Sequence, residues 1–235
     1  MTPDAQMGMV PACAVCGGRE YEHASVLWPE LARDWNLSAE ELHYIDVQQG
    51  THCRACRCNV RSIAVARGLL GAIGSEKPLS CAVEGEAFRR LRVLEINAAG
   101  SLSRYLARAD GHRLIEYPEF DMTALALPAA SYDLVVHSDT LEHVPDPMQA
   151  LRECRRVLKP EGALVFSVPI VIGRLTRNRS GLPPSYHGMP GTEDESMRVH
   201  TEFGADAWTM VLEAGFARVE LVAFMFPSGI AMVAR

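Results

Sequence analysis

Four of the seven cysteines arrive as two C-x-x-C pairs, Cys13-Ala14-Val15-Cys16 and Cys53-Arg54-Ala55-Cys56. In each pair a tight turn lets both sulfurs aim at one point, and two such turns complete a tetrahedron of thiolates about Zn²⁺. Gly17-Gly18 after the first pair suits the unusual backbone angles of that turn. Cys13, Cys16, Cys53 and Cys56 are the expected ligands of a structural zinc, because four thiolates leave no open position for catalysis. Chance core thiols and a redox pair are the competing readings, and two pairs at this spacing favour the metal over both. Cys58 stands close enough to compete with Cys56 for the ion. Cys81 and Cys154 are isolated and read as packing residues.

A second set of chemistry-bearing groups lies downstream. Glu95 stands at the end of one apolar run and is followed by Asn97, Ala98, Ala99 and Gly100; roughly 20 residues on, Glu116 ends the next run, a spacing at which a carboxylate can take two ribose hydroxyls. Asp139-Thr140-Leu141-Glu142-His143 puts two carboxylates and an imidazole on one face of a helical turn. Tyr186-His187-Gly188 shares a long stretch between Val168 and Thr201 with Arg174, Arg177 and Arg179. A stretch of that length reads as a lid or binding loop whose arginines suit an acidic or phosphorylated acceptor, or equally as solvated surface.

The elements that must position these groups fall into two units. Residues 1–85 read as a four-cysteine zinc-binding module with a helical insert of about 36 residues between the pairs. Ser38-Ala39-Glu40-Glu41 is a capping box that opens a helix through Leu42 and Ile45, and residues 59–70 form a second helix ended by Gly71 and Gly74. Over residues 86–235 short apolar runs alternate with helical stretches. Strands are expected at 91–96, 112–116, 132–137, 163–168, 219–224 and 230–234, and helices at 102–107, 146–158 and 204–214. Pro147 inside one helix start and Pro160-Glu161-Gly162 past its end punctuate the pattern. Such alternation predicts an α/β fold, a parallel sheet covered on both faces, with ligands at the carboxyl ends of its strands.

The ordered series Glu95-Ile96-Asn97-Ala98-Ala99-Gly100, Glu116, Asp121-Met122-Thr123-Ala124-Leu125-Ala126-Leu127-Pro128, Tyr132-Asp133-Leu134-Val135, Leu141-Glu142-His143-Val144 and Leu158-Lys159-Pro160-Glu161-Gly162 resembles the class I S-adenosylmethionine-dependent methyltransferases of the methyltransferase domain 11 type. The resemblance covers residues 86–235, and some bacterial members of this group also carry an N-terminal four-cysteine module. It implies a Rossmann-like doubly wound sheet and S-adenosyl-L-methionine as cofactor. Glu95, Asn97, Ala98, Ala99 and Gly100 would face its methionine part, Glu116 its ribose hydroxyls, Asp121 and Met122 its adenine. His137 and Ser138 would border the methionine side and the acceptor. Asn97, Ala98 and Ala99 replace the glycines of the family's turn, which is about one residue shorter here. Asp139, His143 and His187 are the expected catalytic groups, needed as a base where the acceptor arrives protonated. Asp139, Glu142 and His143 have the spacing of an E-x-x-E-H arrangement that holds a divalent cation in ubiquinone-type O-methyltransferases. The preferred reading of Glu142-His143 is an ordinary helix start that serves packing and hydrogen bonding.

Composition narrows the partners. With 48% hydrophobic and 22% charged residues the chain can bury a globular core. Net charge is −6, and splitting after residue 85 gives 7 Lys/Arg against 10 Asp/Glu and then 16 against 19, so each part carries −3. Neither has the positive surplus of a phosphate-backbone binder, which argues against nucleic acid. The longest apolar stretch, from Gly162 to Gly173, is too short for a membrane span, and residues 1–6 lack a secretory leader's pattern, so a reducing cytoplasm is expected. The expected activity is methyl transfer to a small-molecule or sugar-type acceptor. A non-catalytic interaction protein recruited through its zinc module, or an RNA or protein methyltransferase, are the alternatives.

Overall fold

The computed structural model describes residues 10–187 and 193–235, and a six-stranded sheet organises them. Strand order across it is Val219–Phe224, Gly229–Ala234, Leu158–Ser167, Tyr132–Ser138, Arg92–Ile96, Gly111–Ile115. The last four strands run parallel, and the first two form an antiparallel pair that joins Leu158–Ser167 antiparallel. The α/β expectation holds, with a sheet that is mostly parallel. Residues 1–6 and Gly188 lie outside the described residues. No described helix is long and apolar enough to cross a membrane.

Alternate residues of the central strands face two separate cores. Leu94, Val135 and Leu164 pack with Leu151, Cys154 and Val211, from the helices Pro147–Val157 and Ala207–Glu213. Val93, Val136 and Val165 pack with Ile63 and Leu69 of the helix Val60–Ile73. A helix from the cysteine-bearing part thus forms one layer of the sheet, and its core also contains Cys13, Cys53 and Cys56. Gly68 permits the close packing: a Cβ there would stand 3.0 Å from Val165 Cγ1. Asn59 caps the helix by accepting from Ser62 N–H at 2.9 Å, and Gly74, at φ 66°, ends it. Gly71, expected as a stop, is carried inside the helix.

Three expected boundaries shift. The helix placed at 204–214 starts at Ala207, because Thr201–Gly204 is a strand of a small sheet with Ile170–Val171 and Arg177–Asn178. A Cβ on Gly204 would meet the Arg174 carbonyl oxygen at 2.2 Å, so backbone contact, not helical turn, sets its conformation. Strand Leu158–Ser167 begins five residues early, and its pairing jumps from Tyr132↔Leu158 to Leu134↔Ala163, so residues 159–162 bulge. After Arg92–Ile96 only a 3₁₀ turn, Gly100–Leu102, and a short helix, Ser103–Leu106, follow.

Candidate functional site

The sulfurs of Cys13, Cys16, Cys53 and Cys56 lie within 4.8 Å of one another. Cys13 and Cys56 are 3.6 Å apart, as are Cys16 and Cys53. A tetrahedron with Zn–S bonds of about 2.3 Å has edges of roughly 3.8 Å, so the donor set fits a zinc ion. Both turns close alike. Gly17 N–H donates to Cys13 O and Cys13 N–H to Gly18 O; Arg57 N–H donates to Cys53 O and Cys53 N–H to Cys58 O, all at 2.7–2.9 Å. Gly17 and Arg57 hold the matching left-handed position, at φ 79° and 64°. Cys58 is therefore the counterpart of Gly18. Its carbonyl completes the turn, and its sulfur stays outside the group of four. Cys154 is buried as expected, but Cys81 is exposed, because Leu79 takes the inward side of their short helix.

At the carboxyl end of Arg92–Ile96, Glu95 is wholly buried. One oxygen accepts from Ala99 N–H at 2.7 Å and from the Ser103 hydroxyl, and the other pairs with His112 Nε2 at 2.8 Å. Glu95 thus fixes the turn of Asn97, Ala98, Ala99 and Gly100. Asn97 and Gly100 take φ 50° and 57°; asparagine tolerates this region better than other non-glycine residues. Asn97 Oδ1 also accepts Tyr117 N–H at 3.0 Å, tying the turn to the chain just past Glu116. Glu116 is exposed at the end of the neighbouring strand. Asp121 is exposed too, with Oδ1 accepting from Thr123 N–H and hydroxyl at 2.8 and 2.7 Å, while Met122 is buried against the core. The exposed carboxylate beside a left-handed turn suits a nucleoside with a hydroxylated sugar. Ser138 shares a hydrogen bond with Ser167 at 2.9 Å. His137 is wholly buried, its ring 4.8 Å from that of Phe166, and neither nitrogen has a partner among the described residues; burial lowers it to about 3, so it is neutral.

A cavity of about 440 Å³ opens at the ends of the next two strands, bordered by Asp139 and Pro169. Its walls are apolar, with Trp28, Leu31 and Trp35 prominent. Its polar side holds Gln49, Arg61, Asp139, His143 and His187. Asp139 does not share a helical face with Glu142 and His143. It precedes the 3₁₀ turn Leu141–His143 at φ 46°, and its Oδ2 is held by Arg61 and by Gln49 Nε2, the latter at 2.8 Å. Its other oxygen is buried without a partner among the described residues. His187 takes the place expected for Asp139: its Nδ1 lies 3.9 Å from Glu142 Oε1, and His143 Nε2 lies 3.7 Å from the same oxygen. The two imidazoles meet edge to face at 4.9 Å. Burial raises the Glu142 carboxyl to about 8, and burial followed by nearby positive charge lowers His187 to about 3.

Arg174, Arg177 and Arg179 of the 168–201 stretch are each paired within the protein. Arg174 is bound by Glu41 at 2.7 Å and by the Trp35 carbonyl at 2.7 Å, Arg177 by Glu202 at 2.6 Å, and buried Arg179 by Glu202 and the Pro183 carbonyl. Sequence reasoning missed Arg61 and Gln49, which reach the site from the cysteine-bearing part. An arginine in the apolar run Val60 to Ala66 was the available signal for the first. Trp28, Leu31 and Trp35 repeat at helical spacing, the signal of an apolar face.

Residues 78–166 match the family described as "Methyltransferase domain". The match takes in strands Arg92–Ile96, Gly111–Ile115, Tyr132–Ser138 and most of Leu158–Ser167, and over it the chain is similar to methyltransferase domains. The chain is similar to ubiquinone biosynthesis O-methyltransferase of Histophilus somni, 41% identical over 56 residues, which cover 24% of this chain and 24% of that protein. It is also similar to a Mycobacterium tuberculosis protein described as "Probable S-adenosylmethionine-dependent methyltransferase Rv3030", 33% identical over 109 residues, covering 46% of this chain and 35% of that one. The matches thus span a quarter to a third of these curated relatives. Among solved structures, an S-adenosylmethionine-dependent methyltransferase from Mesorhizobium loti is 16% identical, with 66% of this chain and 98% of that chain covered, at a TM-score of 0.36.

Proposed function

We infer that the protein is an S-adenosylmethionine-dependent methyltransferase acting on a small-molecule or sugar-type acceptor. The observation that carries this reading is the adjacency of two features. The turn of Asn97 to Gly100, with exposed Glu116, ends one pair of strands, and the cavity beside Asp139 and Pro169 ends the next pair. In an open parallel sheet these are the neighbouring positions of ligand and co-substrate. S-adenosylmethionine, when bound, supplies a methyl group on a sulfonium, a good leaving group for in-line displacement. Glu95 holds the turn, Glu116 offers a carboxylate to two hydroxyls, and Asp121 and Met122 border the adenine side. Ser138 and His137 are the strand residues leading to the acceptor.

Much of the acceleration is expected from placing the acceptor. Trp28 and Trp35 present flat apolar surfaces to one face of a ring, and the polar groups opposite meet its hydroxyls. As an acceptor lone pair forms the new bond to carbon, the carbon–sulfur pair passes to sulfur and the acceptor proton must leave. Asp139 borders the cavity and is the carboxylate suited to take it, with Arg61 and Gln49 fixing its position through Oδ2. His143 and His187 line the same side and orient the acceptor. The zinc implied by Cys13, Cys16, Cys53 and Cys56 would be structural, holding residues 1–85 so that helix Val60–Ile73 and Arg61 stay in place on the 86–235 sheet. Free thiols at that centre suit a reducing compartment such as the cytoplasm.

Titration calorimetry with S-adenosylhomocysteine tests the reading. Binding that Glu116→Ala weakens is expected. No heat with millimolar ligand would remove the enzyme assignment and favour a non-catalytic interaction protein.

A further inference from the structure

Glu142 presents an unusual problem. Its carboxylate is 1% exposed, and neither oxygen has a hydrogen-bond partner among the described residues. A buried carboxylate left in that state is costly unless a proton or a cation completes it. Two imidazole nitrogens approach one of these oxygens, Oε1, His143 Nε2 at 3.7 Å and His187 Nδ1 at 3.9 Å. One donor atom from each of the three residues falls within 4.8 Å of the others.

We propose that Glu142, His143 and His187 form a second metal site, distinct from the four cysteines, which takes a first-row divalent transition cation and presents it to the acceptor cavity. The donor chemistry supports this class: two imidazoles and one carboxylate suit Zn²⁺, Fe²⁺, Mn²⁺ or Co²⁺ and leave coordination positions open. The spacing supports it too. Three ligands about 2.1 Å from one cation stand roughly 3.0–3.5 Å apart, and each imidazole nitrogen lies only a few tenths of an ångström beyond that from Glu142 Oε1. His143 is already oriented for the role. Its Nδ1 lies 3.0 Å from the Arg198 carbonyl oxygen, and donation there leaves Nε2 with its lone pair toward Glu142, as in many metal-bound histidines. His143 and His187 line the cavity, whereas Glu142 lies behind them, so the open positions face the acceptor. Asp139 is not a ligand of this site, because Arg61 and Gln49 hold it. The site deepens the methyltransferase reading and rests on it for the acceptor class: one that offers an oxygen donor to the cation, a hydroxyl whose proton metal binding makes easier to remove.

The test is cobalt titration of the full chain with its cysteine centre filled with zinc, followed by calorimetry and visible absorption. The expected result is uptake of one further equivalent of Co²⁺ with d–d bands and no thiolate-to-metal charge-transfer band. His187→Ala should weaken that uptake by more than about tenfold, and His143→Ala is a second variant should the first not fold. No uptake free of thiolate absorption, or unchanged uptake in both variants, would overturn the site. S-adenosylhomocysteine binding by the native chain, measured alongside, separates the two readings: intact binding with no second equivalent removes the cation and leaves the methyltransferase standing, while the reverse removes the methyltransferase alone.

Discussion

The sulfurs of the cysteine centre are brought together by two copies of one local turn, each closed by its own pair of backbone hydrogen bonds. Glu142, His143 and His187 meet differently. A distant segment folds back over a 3₁₀ turn, and it is held there by Trp35, whose ring lies 5.2 Å from that of His187, and by Trp35 Nε1 bonded to Ser185 Oγ at 2.9 Å. The first centre depends on turn geometry and the second on tertiary packing. The cysteines should therefore govern folding, and the residues around the cavity should govern binding.

Loss of one cysteine should have the largest effect. Cys13→Ser is expected to lower zinc content below one ion per chain and to cost about 4 kcal/mol or more, a fall in Tm of roughly 10 °C in a chain of this size. Elemental analysis and calorimetric melting would show it. An unchanged Tm would mean that the sheet does not need the module whose helix covers it.

Arg174→Ala removes the clamp between Glu41 and the segment that carries the cavity's far wall, at a cost of about 2 kcal/mol. The same pair predicts a pH dependence. The Arg174 side chain, against some burial, holds the Glu41 carboxyl down to about 2. Because the folded value lies below the unfolded one, this stabilisation is full above about pH 4.5. It fades as pH falls toward 2, and that portion of the acid-unfolding curve should vanish in Arg174→Ala.

Glu116→Ala should weaken S-adenosylhomocysteine binding by roughly tenfold, about 1.4 kcal/mol, while the unfolding free energy stays within about 0.5 kcal/mol of the native value, since the side chain is exposed. The smallest change expected is a gain. Arg57→Gly relieves a left-handed φ of 64° in the second turn and should stabilise by about 1 kcal/mol, visible in denaturant midpoints.

The same contrast decides how much could be read in advance. The cysteine pairs, the capping box in which Ser38 and Glu41 exchange bonds, and the helix that follows the second pair were all legible, because each is set within a few residues. The alternation that predicts the sheet was legible for a similar reason, with apolar runs long enough to be buried on both faces. Arg61 on Asp139 and His187 on Glu142 were not legible, since nothing near either residue records which distant segment it will meet. Glu41 shows the limit within one side chain: its bond to Ser38 was predicted, and its pairing with Arg174 was not.

The central claim is that the turn of Asn97 to Gly100 holds the cofactor beside the tryptophan-walled cavity. A crystal structure of the full chain with S-adenosylhomocysteine tests it most directly. The account predicts the ribose hydroxyls on Glu116 and the sulfur end directed toward Asp139 and the cavity. A ligand seated elsewhere, or none at millimolar concentration in an intact, zinc-loaded protein, would contradict it.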